Sequence, residues 1–319
     1  MAGILVQPTT AAVEPAPPIR RGRRGGGLLT AIRHNPKALT GLGIFLVFCV
    51  LALVPQLFTS VRKPNDLAFT PGLQPSGQHL LGTTMLGQDI WAQLVYGTRQ
   101  SLVIALVAGF FATVLSVLVG VSAAYLGGVA DEALSMITNV FLILPTFPLI
   151  IILATYAGKG TLTVILVVLV VTGWSYGANQ MRAQTLSLRN RDFLESARVR
   201  GERRLYIILF EVLPTMTSLI VANFLGAALY SVLTAAGLQF LGLGDANSVS
   251  WGTMLYWSQN QSALQTGMPL WSIAPGLCVA LLGVSFALLN YAFDEISNPA
   301  LRPVRRRPVR RLSAKRAHS

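Results

Sequence analysis

Residues 101–126 read SLVIALVAGFFATVLSVLVGVSAAYL, an unbroken apolar run without a single charged side chain. A helix crossing the roughly 30 Å hydrocarbon core of a bilayer needs about 20 such residues. Working outward, five more runs have this character: 40–58, 137–156, 162–176, 216–236 and 273–293. The run at 137–156 holds Pro145 and Pro148, which predict a kink. Residues 157–161 leave room only for a tight hairpin, with Gly158 and Gly160 as turn residues. Composition agrees. Of 319 residues 53% are hydrophobic and 12% charged, and the mean hydropathy is +0.58. Soluble domains carry about 25% charge, so a water-soluble globule and a disordered chain are both excluded. The expected fold is an all-α polytopic membrane protein with six transmembrane helices.

The net charge of +13, from 25 Lys+Arg against 12 Asp+Glu, first suggests nucleic acid. Its placement argues otherwise. Six basic residues lie between Arg20 and Lys37, seven between Arg182 and Arg204, and eight between Arg302 and Arg316. Alternating the runs across a membrane puts all three groups on one side. The other side keeps Arg62, Lys63, Arg99 and Lys159. The positive-inside rule makes the basic side the cytoplasm, with both termini inside. The chain then divides into a basic segment 1–39, a first span 40–58, an outer loop 59–96, a core 97–293 and a basic tail 294–319. A cytoplasmic loop, 177–214, sits within the core. The first span is too long for a cleaved signal and reads as an anchor.

The spans as drawn hold no charged residue, which argues against a proton relay and against an intramembrane enzyme. Cys49 and Cys278 read as small buried residues, and His34, His79 and His318 are scattered, so no metal or disulfide pattern arises. No G-x-x-x-x-G-K-[ST] loop exists; the only Gly-Lys pair is Gly158-Lys159. Uphill transport would draw energy from a partner, with no cofactor in this chain. Gly109, Gly120 and Ala124 on the second run, and Ala222 and Gly226 on the fifth, allow close helix contact. Asn139, Asn223, Tyr230, Ser231 and Asn290 are the polar groups expected to face a path or to bond between helices.

The loop 177–214 is the most informative soluble segment. Asp192 and Glu195 have the cap and N3 spacing of a capping box, predicting a short helix from Phe193 to about Arg200. Gly201 interrupts it. Leu205, Ile208, Leu209 and Val212 then form an amphipathic stripe, and Pro214 marks entry to the fifth span. Two short helices broken at a glycine make a docking knob for a partner. In the outer regions, Trp91, Trp251, Trp257 and Trp271 suit the interface level.

Three motifs carry a resemblance. E-S-A-R-V-R-G (Glu195, Ser196, Ala197 to Gly201) with Leu213-Pro214 resembles the EAA loop of bacterial ATP-binding-cassette (ABC) importer permeases, with Ser196 for the central Ala. L-G-T-T-M-L-G-Q-D (with Gly82, Thr83, Gly87 and Asp89) and Y-G-T-R-Q-S-L (Tyr96, Gly97, Arg99) resemble a signature of the oligopeptide/dipeptide/nickel permeases. Thr84 and Gln88 replace its usual Asp and Arg. F-L-G-L-G (Gly242, Gly244) with S-W-G-T-M-L (Trp251, Gly252) resembles the same family, and Asn35-Pro36-Lys37 fits its C-type subunit.

The resemblance covers about residues 28–303. It implies a type I ABC importer transmembrane domain, an N-terminal helix plus a five-helix core, in the bacterial plasma membrane. It implies a second homologous permease subunit, two ATP-binding subunits or one fused ATPase carrying ATP and Mg, and an extracytoplasmic solute-binding protein. No nucleic acid is implied. Asp192, Phe193, Glu195, Ser196, Ala197, Gly201, Leu213 and Pro214 would form the ATPase-coupling loop. Di- and oligopeptides are the expected solutes, with nickel, glutathione or another small solute, or a passive channel, as alternatives.

Overall fold

The computed structural model describes residues 35–156 and 161–297. The first 34 residues, the Gly158-Lys159-Gly160 turn and the basic tail beyond 297 lie outside the described residues. Long helices are α1 (Pro36–Leu53), α2 (Ile90–Leu126), α8 (Thr217–Phe240) and α10 (Pro269–Ser297). Between them stand α3 (Gly128–Ile143), α4 (Thr146–Tyr156), α5 (Leu162–Gly173), α6 (Ser175–Leu188), α7 (Asp192–Val199) and α9 (Trp251–Asn260). Among the described residues, five spans are long and apolar enough to cross a membrane, counting α5 and α6 as one, and six if the bent pair α3–α4 is one more.

The boundaries depart from the expected spans where polar side chains extend a helix. Asp89 caps α2 by accepting from Ala92 N at 2.7 Å. The helix thereby starts at Ile90, and Tyr96, Gly97 and Arg99 are helical rather than loop. Asn35 accepts from Lys37 N at 3.0 Å, with Pro36 next, so α1 starts before residue 40 and ends at Leu53. The 177–214 loop is shorter than expected, because α6 continues to Leu188. The third span starts at Gly128, which brings Asp131 and Glu132 into a helix expected to be neutral. Its expected kink is a break: α3 and α4 meet at 93°. Leu144 takes the extended conformation (ψ 135°) that a following proline favours.

Packing follows small residues, since lipid supplies no hydrophobic drive between spans. A Cβ on Gly109 would stand 2.8 Å from Ala228 N, and one on Gly120 only 2.3 Å from Ala178 O. These contacts seat α8 and α6 directly on α2, which forms the axis of the bundle. At the α5–α6 break the Trp174 carbonyl accepts from Ala178 N at 2.9 Å and from the Ser116 hydroxyl of α2 at 2.7 Å. Helix α1 lies outside this core against α10 and α2. Ser285 Oγ donates to Gly41 O at 2.8 Å, and Asn35 Nδ2 to Glu295 Oε2 at 3.2 Å. Leu53 and Ile143, each at least 80% exposed, lie on surfaces that water would not tolerate and lipid would.

Candidate functional site

The structure builds three sites: a helical knob at the arginine-rich end of the bundle, a cavity between spans, and a bonded loop cluster at the opposite end.

The knob is α7 with the segment Arg204–Thr215, which runs through a π-helical turn at Ile208–Val212. The expected capping role of Asp192 is not realised. Arg191 occupies the cap position, no side chain bonds there, and Asp192 is the first helical residue. Asp192 and Glu195 both remain exposed in the first turn, where their charge complements the helix dipole. The glycine expectation gains detail. Gly201 has φ 78°, its N–H donates to Arg198 O at 3.0 Å, and Glu202 N donates to Ala197 O at 3.3 Å. That pair of bonds is a Schellman ending, which places glycine in the left-handed region. Leu194 (1% exposed) and Ala197 (0%) point inward and pack with Val121 of α2, Met181 of α6, Ile207, Val212 and Met216. Phe193, Val199, Leu205, Tyr206, Leu209 and Phe210 stay exposed on the outside of the knob. Leu213 is half-buried and Pro214 exposed, where the chain turns into α8.

The cavity has a volume of about 600 Å³. Asn223 and Tyr230 of α8, Asn290 of α10, Thr172 of α5 and Gln180 of α6 line it, with Asp294 as the one ionisable carboxylate among its lining residues. Helix α3 and the start of α4 close one wall through Phe141, Leu142 and Thr146. Of the expected path residues, Asn223, Tyr230 and Asn290 are brought together here. Asn139 is not; it faces a separate small cavity of about 40 Å³ between α2, α3 and α6. Ser231 is not either. It turns into the core at 1% exposure, with no hydrogen-bond partner for its hydroxyl. A helix places neighbours 100° apart, so Tyr230 and Ser231 cannot share one face. Gln180 and Thr172 were missed because the first lay in an assumed loop and the second in a featureless apolar run.

At the opposite end the motif residues are architectural. Gly82 (φ 83°) and Gly87 (φ 79°) make turns in which a Cβ would meet Leu73 O and Phe69 O at 2.4 and 2.2 Å. Thr83 Oγ1 donates to Thr70 O at 2.7 Å and accepts from Leu73 N at 2.9 Å. Asp89 Oδ2 lies 2.7 Å from His79 Nδ1, with both residues buried, while Oδ1 caps α2. His79 therefore belongs to this cluster, a partnership that 10 residues of separation and no recognisable spacing concealed. Trp251 and Trp271 present no ring at the protein surface; they are 0% and 1% exposed. Trp251 Nε1 donates to Leu94 O at 3.1 Å, its backbone N to Ser101 Oγ at 3.2 Å, and its ring meets Phe48 edge-on. Gly97 and Gly252 make room: their Cβ positions lie 3.3 Å from Ser250 Cα and 2.4 Å from Gln239 Oε1. Gly242 (φ 80°) and Gly244 turn the chain between α8 and α9 against Tyr256 and Gln239. Tyr96 and Arg99 instead line an open pocket with Asp245.

Asp89→Ala leaves the buried His79 unpartnered and α2 uncapped, for a loss of about 2–4 kcal/mol. Hydrogen exchange of residues 70–92 should accelerate selectively in the purified variant. Unchanged protection there would contradict this account of the cluster.

A polytopic helical bundle with a cavity open between its spans, and a separate knob packed against one end, fits the membrane domain of a solute transporter. Residues 116–301 match the family described as "Binding-protein-dependent transport system inner membrane component". The chain belongs to this family and is a multi-pass permease of the inner membrane. It is 32% identical over 279 residues to the oligopeptide transport system permease protein OppC of Mycobacterium tuberculosis, covering 86% of this chain and 94% of that protein. It is 28% identical to the dipeptide transport system permease protein DppC of Bacillus subtilis, covering 85% and 84%. It is 30% identical to the nickel transport system permease protein NikC of Escherichia coli, covering 72% and 82%. A chain of the inward-facing MetNI methionine ABC transporter has the same fold, with TM-score 0.51 and 21% identity, over 66% of this chain and 97% of that one.

Proposed function

We propose that the protein is one permease subunit of an ATP-driven importer for di- and oligopeptides, pairing with a second homologous permease. The arginine-rich end faces the cytoplasm, as the basic asymmetry favours. The knob docks onto an ATPase, either two subunits or one fused chain, and the opposite end receives a solute-binding protein. The observation that carries this reading is the two-sided knob. Leu194 and Ala197 are buried in the bundle, while Phe193, Val199, Leu205 and Phe210 are left bare for a partner. Closure of the ATPases would press on α7, and its seat on α2 and α6 would pass the push to the cavity walls, exposing the path alternately to each side. Asn223, Tyr230, Asn290, Gln180 and Thr172 offer amide and hydroxyl groups, which suit peptide bonds. A bare nickel ion favours imidazole and thiolate, which do not line this cavity.

The test reconstitutes the permease pair with its ATPases and binding protein in proteoliposomes. ATP-dependent accumulation of labelled di- or tripeptides supports the reading. Accumulation of nickel alone overturns the peptide assignment, and ATP-independent flux overturns the importer. Gly201→Leu sharpens it. No atom lies within 4 Å of a Cβ there, so the cost is the left-handed backbone alone, about 1–2 kcal/mol. Uptake per ATP hydrolysed should fall by about tenfold, with the complex still assembled.

A further inference from the structure

The basic residues between Arg182 and Arg204 serve orientation, yet three of them make contacts that orientation does not require. Arg182 of α6 forks onto Asp131 of α3, Nε to Oδ1 at 2.6 Å and Nη2 to Oδ2 at 2.8 Å. Ser135 Oγ adds a bond to the same carboxylate at 3.1 Å. The pair is part-buried, with side chains 32% and 19% exposed, in the bidentate geometry that fixes both partners. Arg189 ends α6 with its guanidinium against the α2–α3 junction. A Cβ on Gly127 would stand 3.2 Å from Arg189 Nη1. Arg198, on the knob helix α7, donates from Nη2 to Arg189 O at 3.1 Å and sits 5.9 Å from the Tyr125 ring centroid, near the end of α2.

The junction these groups surround is built on two glycines. Gly127 and Gly128 have φ 69° and 55°, conformations open to glycine alone at little cost. Beyond it, α3 carries Phe141 and Leu142 in the cavity wall and ends at the 93° break. Behind it, α2 and α6 touch closely at Gly120 under the Ala178 carbonyl. The end of α6 beyond this contact carries Arg182 and Arg189, and α3 hangs from a glycine hinge whose position relative to that end the Asp131–Arg182 fork sets.

We propose that Arg198, Arg189 and Arg182 with Asp131 form a strap that transmits movement of the knob helix to α3, and so sets the cavity wall. The inference rests on the permease reading above. A shift of α7 moves Arg198, which pulls the Arg189 carbonyl at the end of α6. The Arg182–Asp131 fork one turn and more behind it carries α3 along. Asp131 and Arg182 are positioning residues; neither needs to touch solute.

The test uses the complete transporter with its ATPases and binding protein. Asp131→Asn keeps the volume and loses the charge. It should lower uptake per ATP hydrolysed at least tenfold while ATP hydrolysis persists. The exchange Asp131→Arg with Arg182→Asp should restore most of the ratio. A second readout follows the wall itself. With Cys49 and Cys278 replaced by Ala, spin labels at Ile143 on α3 and Val167 on α5 report their separation with and without a trapped ATP analogue. The wild-type separation should change on nucleotide binding, and the Asp131→Asn separation should not. Wild-type uptake per ATP in Asp131→Asn, or a nucleotide-driven distance change equal to wild type, overturns the strap. If Asp131→Asn fails to assemble, Arg198→Met decides, since it lies on the knob away from the fork and keeps neither donor nor charge: an unaltered ratio overturns the strap, and a lowered one supports it. Absence of uptake by the wild-type complex overturns the permease reading instead.

Discussion

Ala197→Asp abolishes uptake: fewer than about one in a hundred wild-type transport events should remain. Ala197 is 0% exposed and faces Val121, Met181 and Val212 beneath the bundle. A carboxylate there loses its hydration and meets no cation within the cluster, at a cost of several kcal/mol. Even about 3 kcal/mol displaces a docking equilibrium by roughly 100-fold. The knob is thereby expelled from its seat, while the spans, held by contacts of their own, persist. Uptake in proteoliposomes measures the effect, and gel filtration of the detergent-solubilised protein confirms that the subunit is intact. Ala197→Gly provides the comparison. It removes one methyl and costs about 1 kcal/mol in helix propensity, so most uptake should survive. Full uptake by Ala197→Asp would remove the seat from the mechanism.

Trp251→Ala should have the largest effect on stability. The ring is fully buried between α1, α2 and α9, with its N–H on the Leu94 carbonyl and Phe48 at 5.2 Å. Truncating a buried tryptophan costs about 3–5 kcal/mol, and here the Leu94 carbonyl also loses a donor. The thermal midpoint of the solubilised subunit should drop by about 10 °C or more. A fall of only a degree or two would mean that this cluster contributes little. The loss should appear in assembly rather than in selectivity, because Trp251 lies outside the cavity.

Ala197 lay in a motif, and the i, i+3 spacing from Leu194 already put both on one helical face. Trp251 lay in a motif too, but its amphipathic chemistry pointed to the membrane interface. Only the position of Gly97, whose Cβ would lie 3.3 Å from Ser250 Cα and 3.4 Å from the Trp251 ring, shows that the backbone opens a slot for the ring. The same contrast separates Asn223 from Ser231. Both are polar residues in an apolar span, and phase around α8 decides that one faces the cavity and the other the core. Asp192 fitted the spacing of a cap, yet Arg191 took the extended cap conformation and the helix began at Asp192 itself, one residue earlier than a cap there would require.

The amino-acid sequence by itself determined that this is a helical membrane protein, how many spans it has to within the bent pair, and where the knob lies. Those properties are local: run length, charge asymmetry, glycine and proline positions are written along one stretch of chain. Which polar residues share a cavity, why His79 meets Asp89, and how Asp131 finds Arg182 51 residues away were decided only by the tertiary structure. In a bilayer, where lipid and protein are equally apolar, span contacts depend on the fit of small residues and on single hydrogen bonds. Such contacts leave no period in the sequence, and they exist only once the helices have packed.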